Sequence, residues 1–232
     1  MSPDAIEVQL PGARVAFSTR AGGVSQGPYE SLNLGILTGD EPDLVHANRE
    51  RLAGSLGVTR VAMGHQVHGT ELATWDGPSG ELIDVDGHVT DTPHLALLVL
   101  TADCLPVALS APGAVAMVHA GWRGLAAGVL DEGVAALRDV GATGPVAAAI
   151  GPGAGGCCYE VGDEVRDAFA DVPEAMLGRN VDLKAVATAR LRAAGVEEVH
   201  DSGLCTMCDA RFFSHRRDHG TTGRQGGVAW LT

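Results

Sequence analysis

Apolar and polar positions along the chain switch repeatedly between a two-residue and a three-to-four-residue rhythm. Arg14-Val15-Ala16-Phe17-Ser18-Thr19 reads as an early strand that runs into Gly22-Gly23 and Gly27-Pro28 turns. Asp40 is placed to cap a helix through about Leu56, with Pro42 tolerated in its first turn and Leu44, Val45, Leu52 and Leu56 as its apolar positions. Strands are expected near 60–66, 70–75, 95–101, 105–110 and 114–118. A helix from Trp122 or Arg123 to about Val140, ended by Gly141, would bury Leu125, Val129, Leu130, Val134 and Leu137. Val146 to Ile150 is a buried strand, followed by a glycine-rich loop and a helix over about 160–170. A helix near 182–194 and strands near 196–200 and 226–231 close the chain. Hairpins interleave with helices without strict βαβ alternation. The pattern predicts an α+β, or mixed α/β, single domain spanning 1–232, with mixed, largely antiparallel sheets flanked by helices.

Composition narrows what such a domain does. With 232 residues and 45% apolar content there is material for a substantial core, and no Pro/Ser-rich linker or charge block divides it. A formal charge of −13 opposes DNA, RNA or an anionic membrane as a partner, and does not exclude a small anionic or nucleoside ligand. The first ten residues lack the basic start and apolar core of a signal peptide, and the longest aliphatic run, Leu95 to Leu100, is too short to span a bilayer. A cytoplasmic protein is expected. Its five cysteines then read as thiols or metal ligands rather than as a disulfide framework.

The candidate chemistry starts from one hairpin. Leu105 to Ser110 and Ala114 to Val118 are apolar strands joined by Ala111-Pro112-Gly113. If residues 110 and 114 face each other near the turn, the register carries Cys104 to within one residue of His119, as cross-strand neighbours. A third ligand from Gly64-His65-Gln66-Val67-His68-Gly69-Thr70 would complete a set of two imidazoles and one thiolate. Such a set leaves a tetrahedral zinc one position short, the arrangement of catalytic zinc. Spacing leaves His65 and His68 both open, since in an extended segment they point to opposite faces.

Other motifs are weaker. Gly151-Pro152-Gly153-Ala154-Gly155-Gly156 satisfies a dinucleotide fingerprint after a strand, but no βαβ unit follows, so it reads as a turn that permits close backbone approach. Cys205-Thr206-Met207-Cys208 is a lone C-x-x-C pair; Cys157-Cys158 could complete a four-thiolate site, although ordinary loop thiols are the simpler reading. Between Arg211 and Arg224, four of the 16 basic residues fall within fourteen positions, a cluster suited to holding phosphate or carboxylate.

Several stretches together resemble a known family: Ser18 to Tyr29, Ser31-Leu32-Asn33-Leu34-Gly35, Asn48-Arg49, Gln66 to Thr70, Thr101 to Pro106, His119-Ala120-Gly121-Trp122-Arg123-Gly124, Gly151-Pro152, Tyr159-Glu160-Val161 and Phe212 to Arg224. In this order they look like the multicopper-polyphenol-oxidase-like, or laccase-domain, family, whose members are generally described as purine nucleoside phosphorylases. The resemblance implies a zinc on His68, Cys104 and His119, with copper, when supplied, as the less native alternative ion. It implies phosphorolysis of adenosine, inosine and 5′-methylthioadenosine, together with adenosine deamination. Under that reading Arg49, Arg123 and Arg217 contact phosphate, Asp103 is an acid/base or supporting group, and Ser18 and Asn33 hydrogen-bond the substrate. One departure is His215, where relatives often carry an aromatic.

Alternatives from other classes remain at this stage. Nine histidines without paired motifs disfavour a native multicopper polyphenol oxidase. The usual zinc-deaminase signature is absent as well. A Cys104 nucleophile with His119 as its base would make a hydrolase or amidase of the kind that edits peptidoglycan precursors. A nucleotide-sensing module with a structural zinc is the non-enzymatic reading.

Overall fold

The computed structural model describes residues 2–232. Its strands in chain order are β1 (Ala5–Leu10), β2 (Ala13–Ser18), β3 (Arg60–Ala62), β4 (Leu72–Thr74), β5 (Gly87–Thr90), β6 (Leu95–Thr101), β7 (Leu105–Ala111), β8 (Ala114–Ala120), β9 (Val146–Ile150), β10 (Met176–Leu177), β11 (Asn180–Val181), β12 (Val196–Asp201) and β13 (Gln225–Leu231). The α-helices are α1 (Pro42–Leu56), α2 (Trp122–Ala127), α3 (Val129–Asp139), α4 (Asp163–Ala168) and α5 (Leu183–Ala193).

Two mixed sheets carry the fold, in the strand orders β1-β2-β13-β6-β3 and β12-β9-β7-β8-β5-β4. Parallel pairs occur only where β3 meets β6, β4 meets β5 and β12 meets β9; the remaining pairs are antiparallel. The mixed, largely antiparallel α+β class expected from the sequence is what forms.

The layers follow from side-chain alternation. Val15, Phe17, Leu97, Val99 and Ala229 of the first sheet meet Ala108, Val115, Met117, Ala147 and Ala149 of the second. The opposite face of the second sheet, with Val107, Leu109, Ala116 and Val118, packs against Leu125, Val129, Leu137, Val186 and Leu191 of the helices. On the far side of the first sheet, Ala96, Leu98 and Val228 pack against Leu52 and Leu56 of α1. The result is a helix–sheet–sheet–helix stack. Central strands buried on both faces lose period-two alternation, which is why β6, β7 and β8 read as unbroken apolar runs.

The structure corrects the expected elements at several points. The helix expected over 122–140 breaks at Gly128, whose φ of 96° ends α2 in the left-handed region and turns the chain into α3. The segments expected as strands over 60–66 and 70–75 pair only along β3 and β4, and the helix expected over 160–170 shrinks to α4. Strands β1 and β5 had no expectation attached. Asp40 does not cap α1; its carboxylate accepts from the Ser25 hydroxyl (2.6 Å) and the Asn33 amide (2.9 Å).

The hairpin register also shifts by one. Ala111 pairs with Ala114 across Pro112-Gly113, with Gly113 at φ 93°, a two-residue connection with proline followed by a left-handed glycine. Pro106 therefore pairs with His119. Cys104, two residues before Pro106, falls on the same sheet face as His119; in the expected register the two would lie on opposite faces.

Candidate active site

The ends of β6, β7 and β8 meet the loop after β3 beside a cavity of about 410 Å³. His119 closes β8, Cys104 precedes β7, and His68 lies in the loop at φ 63°. Their ligating atoms all lie within 4.8 Å of one another, with 3.8 Å between Cys104 Sγ and His68 Nε2. His65 also lines the cavity, but its Nδ1 pairs with Asp84 at 2.8 Å and it stands outside this cluster.

A fully buried carboxylate orients two of the three. Asp86 Oδ1 accepts from His119 Nδ1 (2.7 Å) and from the His68 backbone N–H (2.9 Å). Its Oδ2 accepts from the N–H groups of Val67 (3.1 Å) and Gly69 (2.6 Å). Because a carboxylate only accepts, His119 carries its proton on Nδ1 and turns Nε2 toward Cys104 and His68. Burial alone would raise the Asp86 carboxyl, yet these hydrogen bonds and the His119 charge hold it below the usual carboxylate range.

The thiol and the imidazole shift each other. Burial raises a thiol, but His119 and His68 outweigh it and bring Cys104 down. Burial disfavours imidazolium, but the Cys104 thiolate and Asp86 carry His119 up. The sulfur is thus held as thiolate, the form that ligates metal or attacks carbon. Gly121 leaves the room this needs: a Cβ there would stand 2.8 Å from His68 Cδ2 and 3.1 Å from Cys104 Sγ. Two imidazoles and a thiolate converging on one point, one imidazole oriented from behind by a carboxylate, are a donor set that fits a metal ion.

Three arginines line the same cavity: Arg49, Arg216 and Arg224. Arg49 Nε donates to Leu34 O at 2.9 Å, and burial lowers the guanidinium below its usual range. Burial lowers Arg224 as well, against the pull of Cys104 and Asp103. Arg216 lies over the Tyr159 ring, with its Cζ 5.2 Å from the centroid. Tyr159 also lines the cavity and is raised by burial and by the nearby Cys104 thiolate. Thr101 borders the cavity, and its buried hydroxyl has no hydrogen-bond partner.

The other residues singled out from the sequence are placed as follows. Asp103, at φ 89°, lines the cavity but spends Oδ1 on the Thr206 hydroxyl (2.6 Å) and Oδ2 on the Arg216 N–H (2.7 Å). Asn33 is fully buried and knits the loop that lines the cavity with Gly35 to Thr38, donating to Thr38 and Asp40 and accepting from the Gly35 and Arg224 N–H groups. Ser18 accepts from the Gly226 N–H at 2.9 Å, inside the first sheet. Arg217 engages Asp218, Thr206 O and Phe212 O, away from the cavity lining. Arg123 is exposed, its Cζ 4.3 Å from the centroid of the Trp122 ring.

Sequence reasoning missed Asp86, Tyr159, Thr101, Arg216 and Arg224. The basic cluster over 211–224 flagged the last two as a group, but which members turn inward depends on the loop. Asp86 carried no signal, because Val85-Asp86-Gly87 reads as a polar break between strands.

Residues 14–232 match the family described as multi-copper polyphenol oxidoreductase laccase. The chain belongs to that family. It is 45% identical to a purine nucleoside phosphorylase of Streptomyces coelicolor, over 95% of this chain and 96% of the relative. It is 41% identical to the purine nucleoside phosphorylase YfiH of Escherichia coli, over 96% of each. Among solved structures, a Neisseria meningitidis protein aligns with TM-score 0.86 and 38% identity over 98% of both chains. YlmD of Geobacillus stearothermophilus aligns at 0.87 and 38% identity, over 95% of this chain and 92% of that one. Among the described residues no helix is long and apolar enough to cross a membrane.

Proposed function

We propose that the chain is a zinc-dependent purine nucleoside phosphorylase whose zinc is held by His68, Cys104 and His119. The observation that carries this reading is the sharing of one cavity by the His–Cys–His set and three arginines, in a chain whose net charge is −13. Relatives at 41–45% identity bear that activity in their names. A bound zinc would supply Lewis acidity at the cavity wall.

The chain's own residues do the rest. Arg49, Arg216 and Arg224 hold phosphate and stabilise its charge as a phosphate oxygen bonds to the ribose C1′ and the C1′–N9 pair leaves with the purine. Asp103, with both oxygens engaged, is assigned to positioning Arg216 rather than to proton exchange. Adenosine, inosine and 5′-methylthioadenosine are the proposed substrates, with hydrolytic deamination of adenosine as a side activity.

A second reading rests on a different observation. Thiolate Cys104, His119 and Asp86 are ordered like a nucleophile, its base and an orienting carboxylate. That arrangement would serve a hydrolase acting on an amide.

Adenosine incubated with and without phosphate, with products separated by chromatography, tests both. Phosphate-dependent release of adenine and ribose 1-phosphate is the expected result. Inosine formed without phosphate would instead mark deamination as the main activity. No turnover of any nucleoside by the zinc-loaded protein, with activity in metal-free protein abolished by thiol alkylation, would overturn the proposal in favour of the hydrolase.

A further inference from the structure

The turn after β12 and the loop after β9 bring together four cysteines that are far apart in the chain. Cys157 Sγ lies 3.6 Å from Cys158 Sγ and 3.5 Å from Cys208 Sγ. Cys158 Sγ lies 3.4 Å from Cys205 Sγ and 3.5 Å from Cys208 Sγ. All four sulfurs fall within 4.8 Å of one another. Sulfurs tetrahedrally placed around a zinc at about 2.3 Å are separated by about 3.8 Å, whereas a disulfide requires about 2.05 Å. The four shortest contacts, 3.4–3.6 Å, lie close to the edge of such a tetrahedron and far from a disulfide bond, and all the cysteines are free.

The surrounding backbone is built to keep this convergence. Gly153 and Cys205 form a bridge, with the Thr206 N–H donating to Gly153 O at 3.0 Å. The Gly155 N–H donates to Cys205 Sγ at 3.2 Å, a contact that favours a thiolate. A Cβ at Gly155 would stand 3.2 Å from Cys157 Sγ and 3.3 Å from Cys205 Sγ, so the glycine keeps that side clear for sulfur. The buried Lys184 donates to Leu204 O (2.6 Å) and Gly153 O (3.4 Å), tying the segment before Cys205 to the one before Cys157.

We propose that Cys157, Cys158, Cys205 and Cys208 hold a second zinc ion in a closed four-thiolate shell that shares no ligand with His68, Cys104 and His119. The vicinal pair supplies two ligands from one loop, and the C-x-x-C pair supplies two from the other. A closed shell leaves no position for substrate, so this metal is structural. Its effect on the cavity is indirect. Thr206, inside the C-x-x-C pair, donates to Asp103, and Tyr159, next to Cys158, lines the cavity. The second zinc thereby pins one wall of the candidate active site. The inference does not depend on what the cavity binds.

Metal content of protein purified from zinc-supplemented medium tests it. Two zinc ions per chain are expected in the unaltered protein. One is expected in the double variant Cys157→Ser/Cys208→Ser, and one in His68→Ala/Cys104→Ala. The second variant keeps only the four cysteines in question, so it remains decisive even if the first fails to fold. Loaded with cobalt, it should show the intense sulfur-to-cobalt charge-transfer absorption of four thiolates, and its thiols should resist an aromatic disulfide reagent until a chelator is added. A folded His68→Ala/Cys104→Ala protein that binds no metal and whose four thiols react at once would overturn the proposal. A mass two units lower per cysteine pair, marking disulfides, would overturn it too.

Discussion

Among the described residues two clusters of side chains carry donors suited to a metal ion, and they are built in opposite ways. At the first, His119 is 3% exposed and is aimed by Asp86, a carboxylate that also gathers three backbone N–H groups, and the set opens on a cavity of about 410 Å³. At the second, Cys157 and Cys208 are exposed, the sulfurs are placed by turns, and none of the four lines that cavity. Three donors beside a cavity leave room for a further ligand, whereas four thiols are enough to fill a tetrahedral shell. Open space in front of the donors, rather than the presence of cysteine, distinguishes the two clusters.

The comparison breaks most visibly at His119. In His119→Ala, Asp86 keeps its three backbone N–H donors but loses its charged side-chain partner, and stability should fall by about 3 kcal/mol. Urea unfolding reads this, and metal analysis of the surviving folded protein should find the four-thiol site filled and the His–Cys–His site empty. Loss of both metals together would show that the two regions are not independent.

The strand behind the first cluster adds a pH response of its own. His88, in β5, accepts from the Trp75 indole N–H at 3.1 Å, and burial pushes its imidazole down to about 4, with Asp86 opposing. Its folded value lies below the ordinary 6.5, so the unfolded chain takes up the proton first as pH falls. The stability tied to neutral His88 is complete above pH 6.5 and is lost progressively toward pH 4, by about 3 kcal/mol in all. His88→Phe should flatten the slope of stability against pH between 7 and 4; an unchanged slope would remove His88 from the account.

A smaller effect is expected where geometry alone is altered. Gly121→Ala keeps every ligand residue but sets a methyl group against His68 and Cys104, which must shift to admit it. Zinc affinity at the first site should drop about 10–100-fold, as when a supporting contact is lost, while the second site is unaffected; competition with a chromogenic chelator measures both. Arg224→Lys keeps the charge but loses the planar fork. The KM for phosphate should rise about tenfold with little change in kcat, and a pure kcat effect would place Arg224 away from phosphate.

Much of the fold was legible along the chain, and the reasons differ from element to element. Strands β6, β7 and β8 and helix α5 announce themselves because long apolar runs and capped periodic stretches are local signals. Helix α1 was legible in extent, although Asp40 proved to serve the loop rather than the cap. The break at Gly128 was not legible, since a glycine within a periodic stretch is also compatible with a continuous helix. Strand β5 has only four residues and takes its place from pairing with β8, and β1 is a partly exposed edge strand without a long apolar run.

The candidate site divides along the same line. Cys104 and His119 were joined by hairpin logic, although the register was one residue off because the connection uses two residues rather than three. His68 could be preferred to His65 only by family resemblance, and the three-dimensional cluster contains His68. The four thiols read as ordinary loop residues because two loops 47 or more residues apart carry them, and no local spacing reports that they converge.

By itself the sequence determined the class of fold, the apolar strands and the residue types available for chemistry, because these depend on periodicity and composition. The tertiary structure decided which arginines enter the cavity, which carboxylate orients His119, and that four separated cysteines meet. Such choices depend on loop paths and strand register, which are set by packing between segments far apart in the chain and leave no trace in local order.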